Sequence, residues 1–200
     1  MPAEHLIIFV KNPIPGQVKT RIAHTVGDAK AVAIYNHLLR YTQQLIQSFS
    51  GQRVVYYGDF VNRDDGWNAY DKQLQTSGDL GERMANAFQE QFAAGAEKVV
   101  MIGSDCLAIT PDHLTQAFAA LNKSDIVIGP ATDGGYYLLG MKQVRPFLFQ
   151  DMPWSQPELR QLTELAILQH GLTFAPLETL TDIDEWSDYE PYAPVEVSKE

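Results

Sequence analysis

The sequence predicts a single α/β domain, a mostly parallel sheet wrapped by helices. Three observations carry that prediction. Strand-like apolar runs alternate with helix-periodic segments along the chain. The run "HLIIFV" near the start has no polar alternation, as expected of a strand buried on both faces. The chain has 200 residues, enough to bury a full core without covalent staples, and one domain is expected over 1–190 with a loose tail over 191–200.

The elements follow in order. "HLIIFVK" is the first strand, and a loop rich in Pro and Gly follows it through Arg21. From Asp28, expected as N-cap, a helix sets Val32, Tyr35, Leu38, Leu39, Thr42, Leu45, Ile46 and Phe49 on one stripe. "RVVYYG" is a strand, and the segment from Gly66 to Gly78 reads as a mixed connection. "LGERMANAFQEQFAAG" is a helix with Leu80, Met84, Ala87 and Phe88 inward and Gly95 as its stop. "KVVMIG" is a buried strand. Thr110 as cap and Pro111 at the first helical position then open the next helix. "DIVIGP" and "GYYLLGM" are strands joined by "ATDG", Ser155 and Glu158 have capping-box spacing before another helix, and "LTFAPL" is the last strand. An acidic segment, "TDIDEWSDYEPY", closes the pattern.

Composition narrows the chemistry. The 45% hydrophobic content, with three Trp, nine Tyr and nine Phe, excludes a disordered chain. With 15 Lys+Arg against 25 Asp+Glu the net charge is -10, which argues against a nucleic-acid or anionic-membrane surface, so anions must be met locally. No apolar run approaches the roughly 18 residues of a membrane span, the first residues lack a basic leader, and a cytoplasmic location is expected. The single cysteine, Cys106, excludes an internal disulfide or a multi-cysteine zinc site. Asp105 beside it would raise its thiol pKa, which argues against a nucleophile.

The loop "KNPIPGQVKTR" concentrates Lys11, Lys19 and Arg21 in an acidic protein. It lacks the paired glycines of a P-loop and of the dinucleotide-binding fingerprint. What remains is a Pro-stiffened loop in which Gly16 permits close backbone approach and Lys19 and Arg21 can meet phosphate oxygens; a rigid solvated turn is the other reading. Asp105 follows a buried strand at its carboxyl end, where open α/β sheets bind ligands and where a carboxylate suits Mg²⁺ or Mn²⁺, or it caps a turn. Asp182 and Asp184 fall on one side of an extended segment by period-two alternation. Asp133, Gly134 and Gly135 read as a hairpin turn or as ligand-contacting backbone, with Asp133 or Tyr136 orienting the ligand. Asp79 caps a helix with Glu82, or the turn at Gly78 and Gly81 binds an anion or ribose at the helix start.

Together "FVKNPIPGQVKTR", "GDLGERM", "MIGSDC", "GPATDGGYYLLG", "MPWSQPEL" and "TDIDEWSDY" resemble the nucleotide-diphospho-sugar transferase superfamily, and within it the bacterial radical-SAM/selenodomain-associated transferases. The resemblance implies a Rossmann-like α/β/α sandwich of the glycosyltransferase A type. It implies nucleotide binding by Lys11, Gly16 and Thr20, with Lys19, Arg21 and Asp105 catalytic, and the turn residues Gly78, Asp79 and Gly81 are further nucleotide-binding candidates from their place at a helix start. Asp105 and Asp184 would be the Mg²⁺ or Mn²⁺ ligands, with Asp182 in reserve, and Asp133, Gly134, Gly135 and Tyr136 would contact the acceptor. Leu107 stands where the family commonly has proline, and "SDC" supplies one carboxylate where glycosyltransferases of this fold have a D-x-D. This favours nucleotidyl transfer from a nucleoside triphosphate to a small phosphorylated acceptor, with pyrophosphate released. Glycosyl transfer from a nucleotide-sugar is the alternative, and a non-catalytic nucleotide-sensing module the third reading.

Overall fold

The structure, a computed structural model, describes residues 3–193. Of the expected tail, residues 194–200 lie outside the described residues. Seven strands form one sheet: β1 (Glu4–Val10), β2 (Gln52–Tyr57), β3 (Asp71–Leu74), β4 (Lys98–Ile102), β5 (Ile126–Pro130), β6 (Tyr136–Met141) and β7 (Phe174–Pro176), in the order β3-β2-β1-β4-β6-β5-β7. β6 runs antiparallel to both of its neighbours, and the other pairs are parallel. The helices are α1 (Thr20–Val26), α2 (Asp28–Leu45), α3 (Leu80–Ala93), α4 (Pro111–Ala120), α5 (Leu159–Gln169) and the short α6 (Trp186–Tyr189).

The unalternating run of β1 has a direct physical cause. Leu6, Ile8 and Val10 enter one core while Ile7 enters the other, so both sheet faces are covered. The first core takes Ile22 of α1, Ile34 and Leu38 of α2, and Leu114 and Phe118 of α4; the second takes Met84 and Phe88 of α3 and Ile167 of α5. β2 lies on one side of β1 and β4 on the other, and the segments leaving the carboxyl ends of β1 and β4 meet there, where open α/β sheets bind ligands.

Several expectations are corrected. Thr20 and Arg21 do not belong to a loop but begin α1, a seven-residue helix with one buried side chain, Ile22, and hence no periodic stripe to read. Gly27, not Asp28, is the N-cap of α2: the chain reverses there at φ 84°, with Gly27 N–H donating to Ala23 O and Gly27 O accepting from Ala31 N–H. The mixed connection contains β3, an edge strand whose "DKQL" sequence carries no apolar signal. Leu80 is exposed rather than inward. The Ser155–Glu158 box does not form, because Ser155 sits at φ 61° in a strap before α5 and makes no cap bond.

Candidate active site

The loop after β1 is pinned at its base. Buried Asn12 donates through Nδ2 to Asp59 Oδ1 (2.7 Å) and Phe60 O (2.8 Å), and the Lys11 N–H donates to the Tyr35 hydroxyl (2.9 Å). Gly16 turns the loop at φ 74°, with open space where a side chain would stand, so it is required for backbone rotation rather than for close packing. Lys19 is itself left-handed, at φ 47°, immediately before α1. That conformation directs its side chain to carboxylates from two distant segments.

Lys19 Nζ lies 2.8 Å from Asp105 Oδ1 and 3.3 Å from Asp184 Oδ1, and Arg21 Nη2 lies 3.1 Å from Asp184 Oδ2. Asp105 follows β4, and its carbonyl accepts from Ile183 N–H at 2.8 Å, which ties the acidic segment to that strand end. Burial of the Lys19 ammonium would lower its pKa, but Asp105 and Asp184 outweigh that effect and hold it raised, so this lysine stays charged. Asp182 is the opposite case: burial first, then the charges of Asp105, Asp133 and Asp184, push its carboxyl up to about 7, and its Oδ1 is buried with no hydrogen-bond partner among the described residues. Cys106 is inert, its thiol pushed up to about 12 by burial and then by Asp182 rather than by its neighbour Asp105.

These groups line a cavity of about 560 Å³. It gathers Lys11, Lys19, Thr20, Arg21, Asp105, Asp133, Gly135, Tyr136, Asp182 and Asp184, and it leaves Gly16, Gly78, Asp79, Gly81 and Gly134 off its lining. Asp79 caps α3 in a reciprocal box with Glu82, both bonds at 2.9 Å. At Gly78, φ is 116° and a side chain would meet Glu82 Oε2 at 2.0 Å. A side chain on Gly81 would meet Phe149 O at 2.3 Å and Trp154 at 2.7 Å, and one on Gly134 would meet Pro157 O at 2.0 Å. The room left by these last two glycines is therefore filled by the strap over 149–158, which crosses from the start of α3 to the β5–β6 hairpin. In that hairpin Gly135 N–H donates to Asp133 Oδ1 at 2.8 Å.

The sequence reading missed Tyr35, Gln75, Arg83, Trp154, Ser155 and Gln156, all on the cavity wall. Two of the strap's non-glycine residues have positive φ, Asp151 at 55° and Ser155 at 61°, and neither conformation has a local sequence signature.

A divalent cation was expected here. Among the described residues no group of three or more His, Cys, Asp or Glu side chains is arranged to hold a metal. The donor set still fits Mg²⁺ or Mn²⁺, which take one or two carboxylates and complete their shell with water and substrate oxygens. Asp105, Asp182 and Asp184 are hard oxygen donors on one cavity, and the unpartnered Asp182 Oδ1 is the acceptor that a cation would satisfy.

The whole arrangement is the fold of nucleotide-diphospho-sugar transferases. The chain belongs to the family of uncharacterized proteins conserved in bacteria, DUF2064, whose profile matches residues 41–156. A crystal structure from Desulfovibrio desulfuricans G20, described as that of a candidate nucleotide-diphospho-sugar transferase, superposes with TM-score 0.88 at 30% identity, over 100% of this chain and 90% of that one. At the level of fold alone, a nucleotidyl transferase from Methanothermobacter thermautotroptrophicus superposes with TM-score 0.63 at 14% identity, over 95% of each chain. A manganese complex of Rv0371C from Mycobacterium tuberculosis H37Rv superposes with TM-score 0.53 at 15% identity, over 96% and 97%. No curated protein matches the chain. Among the described residues no helix is long and apolar enough to cross a membrane.

Proposed function

We propose that this protein is a metal-dependent transferase acting on an activated nucleotide, and that it transfers a nucleotidyl group from a nucleoside triphosphate to a small phosphorylated acceptor. The observation that carries the reading is the convergence of Lys19, Arg21, Asp105 and Asp184 at the carboxyl ends of β1 and β4. The narrower resemblance to radical-SAM/selenodomain-associated transferases belongs to the same proposal.

Lys19 and Arg21 would hold polyphosphate oxygens, Lys19 as a point charge and Arg21 through its fork. Asp105 would hold the cation with Asp184 or Asp182, and a bound Mg²⁺ or Mn²⁺ would supply charge withdrawal from phosphoryl oxygens. An oxygen of the acceptor phosphate forms a bond to the α-phosphorus, the bond from that phosphorus to the α–β bridging oxygen breaks, and pyrophosphate leaves with the electron pair. An acceptor that is already an anion needs no base. Catalysis would rest on positioning and on fixed positive charge facing the leaving oxygens. Asp133, Gly135 and Tyr136 line the same cavity and would meet the acceptor.

Glycosyl transfer from a nucleotide-diphospho-sugar is the second reading. It is favoured by the description of the Desulfovibrio structure at 30% identity.

Thermal stability against nucleoside triphosphates and nucleotide-sugars, with and without Mg²⁺, separates the two. A ligand at about 100 times its dissociation constant adds about 2.7 kcal/mol. Stabilisation by a triphosphate only with metal is expected, and Asp105→Ala should abolish it. A larger metal-dependent shift with a nucleotide-sugar would move the assignment to glycosyl transfer, and an undiminished shift in Asp105→Ala would remove Asp105 from the metal site.

A further inference from the structure

The cavity has two lips, because the elements around it pack on opposite faces of the sheet. Ile22 of α1 and Ile183 belong to one core; Met84 of α3 belongs to the other, against which Trp154 also packs. On the first lip Lys19 is already engaged with Asp105 and Asp184, and Arg21 with Asp184. On the second lip stands Arg83, in the first turn of α3.

Arg83 is oriented but not neutralised. Its Nε donates to Gly78 O at 2.9 Å, which fixes the plane of the guanidinium. The two acids nearest in sequence, Asp79 and Glu82, are spent on each other's backbone N–H groups, and among the described residues Arg83 has no ion-pair partner. A held guanidinium with its terminal nitrogens uncommitted, on the wall of a substrate-sized cavity, is suited to two parallel hydrogen bonds from a phosphate or carboxylate.

We propose that Arg83 is a specificity-determining residue that recognises an anionic group, phosphate or carboxylate, on a substrate bound against the second lip. This rests on the reading of the cavity as a transferase site and adds to it a second anion position, distinct from the one served by Lys19 and Arg21. The group belongs either to the nucleotide or to the acceptor.

Calorimetric titration of the full chain in Mg²⁺ buffer decides this. Wild type, Arg83→Gln and Arg83→Lys would be titrated with nucleosides, their mono-, di- and triphosphates, pyrophosphate and glycerol 3-phosphate. Arg83 projects from a helix surface, and unchanged melting temperatures would verify that both variants fold. Loss of one or two charge-assisted hydrogen bonds predicts about ten- to hundredfold weaker binding of a phosphorylated probe to Arg83→Gln, with Arg83→Lys between. Weakening of nucleotides but not of the parent nucleoside supports the inference with the anion on the nucleotide. Weakening of glycerol 3-phosphate alone supports it with the anion on the acceptor. Equal weakening of the nucleoside, or no change with any probe, overturns it. If wild type binds the small anions through Arg83 but no nucleotide, the transferase reading falls and the anion site stands; binding of none of these probes overturns both.

Discussion

Lys19 combines two roles that single substitutions can separate. Its backbone is in the left-handed region, which costs a non-glycine residue roughly 1–2 kcal/mol, and its ammonium is the cation shared by Asp105 and Asp184. Lys19→Gly and Lys19→Ala should both weaken triphosphate binding by at least about tenfold, as expected for loss of a charge-assisted hydrogen bond. Lys19→Gly should nevertheless be the more stable of the two by about 1 kcal/mol in urea unfolding, because glycine relieves the backbone strain. At this scale the sequence was informative where chemistry is rare in its setting: three cations in one early loop of a protein of net charge -10, and an acid at a strand end. Alternation alone could not rank Asp182 against Asp184, since it sets both on one side while burial of Asp182 Oδ1 and pairing of Asp184 depend on tertiary neighbours. Arg83 was illegible because an arginine in the first turn of a helix has the pattern of any solvated position.

Among the elements, the strap over 149–158 is defined by what its neighbours lack. Gly134→Ala would put a methyl group 2.0 Å from the Pro157 carbonyl at φ 91°, a backbone clash that no side-chain rotation relieves. It should destabilise the fold by about 2 kcal/mol or more and disturb the cavity wall. Gly16→Ala meets open space and should cost only the conformational penalty, about 1 kcal/mol. Urea midpoints of the two variants, compared in one series, check the contrast. Elements with a strong local code were readable: α2 and α3 through their stripes, α4 through Thr110 and Pro111, and β1 and β4 through unbroken apolar runs. α1, β3 and α6 were not, because each is short and held by tertiary contact rather than by periodicity. The glycines of "GDLG" and "DGG" suggest close approach of a ligand by sequence, but the geometry gives Gly81 and Gly134 another role: they accommodate a distant piece of chain.

For the molecule as a whole, Asp125 links sheet integrity to pH. Its carboxylate accepts from the Thr173 N–H at 2.9 Å and the Thr173 hydroxyl at 2.8 Å, joining the start of β5 to the chain entering β7. The Thr173 backbone bond first, then its hydroxyl, lower the Asp125 pKa below the ordinary carboxylate value. A depressed carboxyl stabilises the fold above its unfolded pKa, near 4, and that contribution is lost as pH falls through the folded value. Asp125→Asn should therefore lower stability at pH 7 and narrow its difference from wild type as the solution is acidified, which thermal unfolding from pH 7 to pH 3 would register. The bond between Lys19 and Asp184 spans 165 residues of chain, with Asp105 between them in sequence. Synthesis delivers the lysine first and the last acid only after nearly the whole described chain, and contacts of such long separation form late because loop closure must precede them. A nascent chain thus has its cationic loop, and Asp105, long before the second carboxylate that pairs with Lys19, so formation of the Lys19–Asp184 pair would report that the final segment has docked on the sheet.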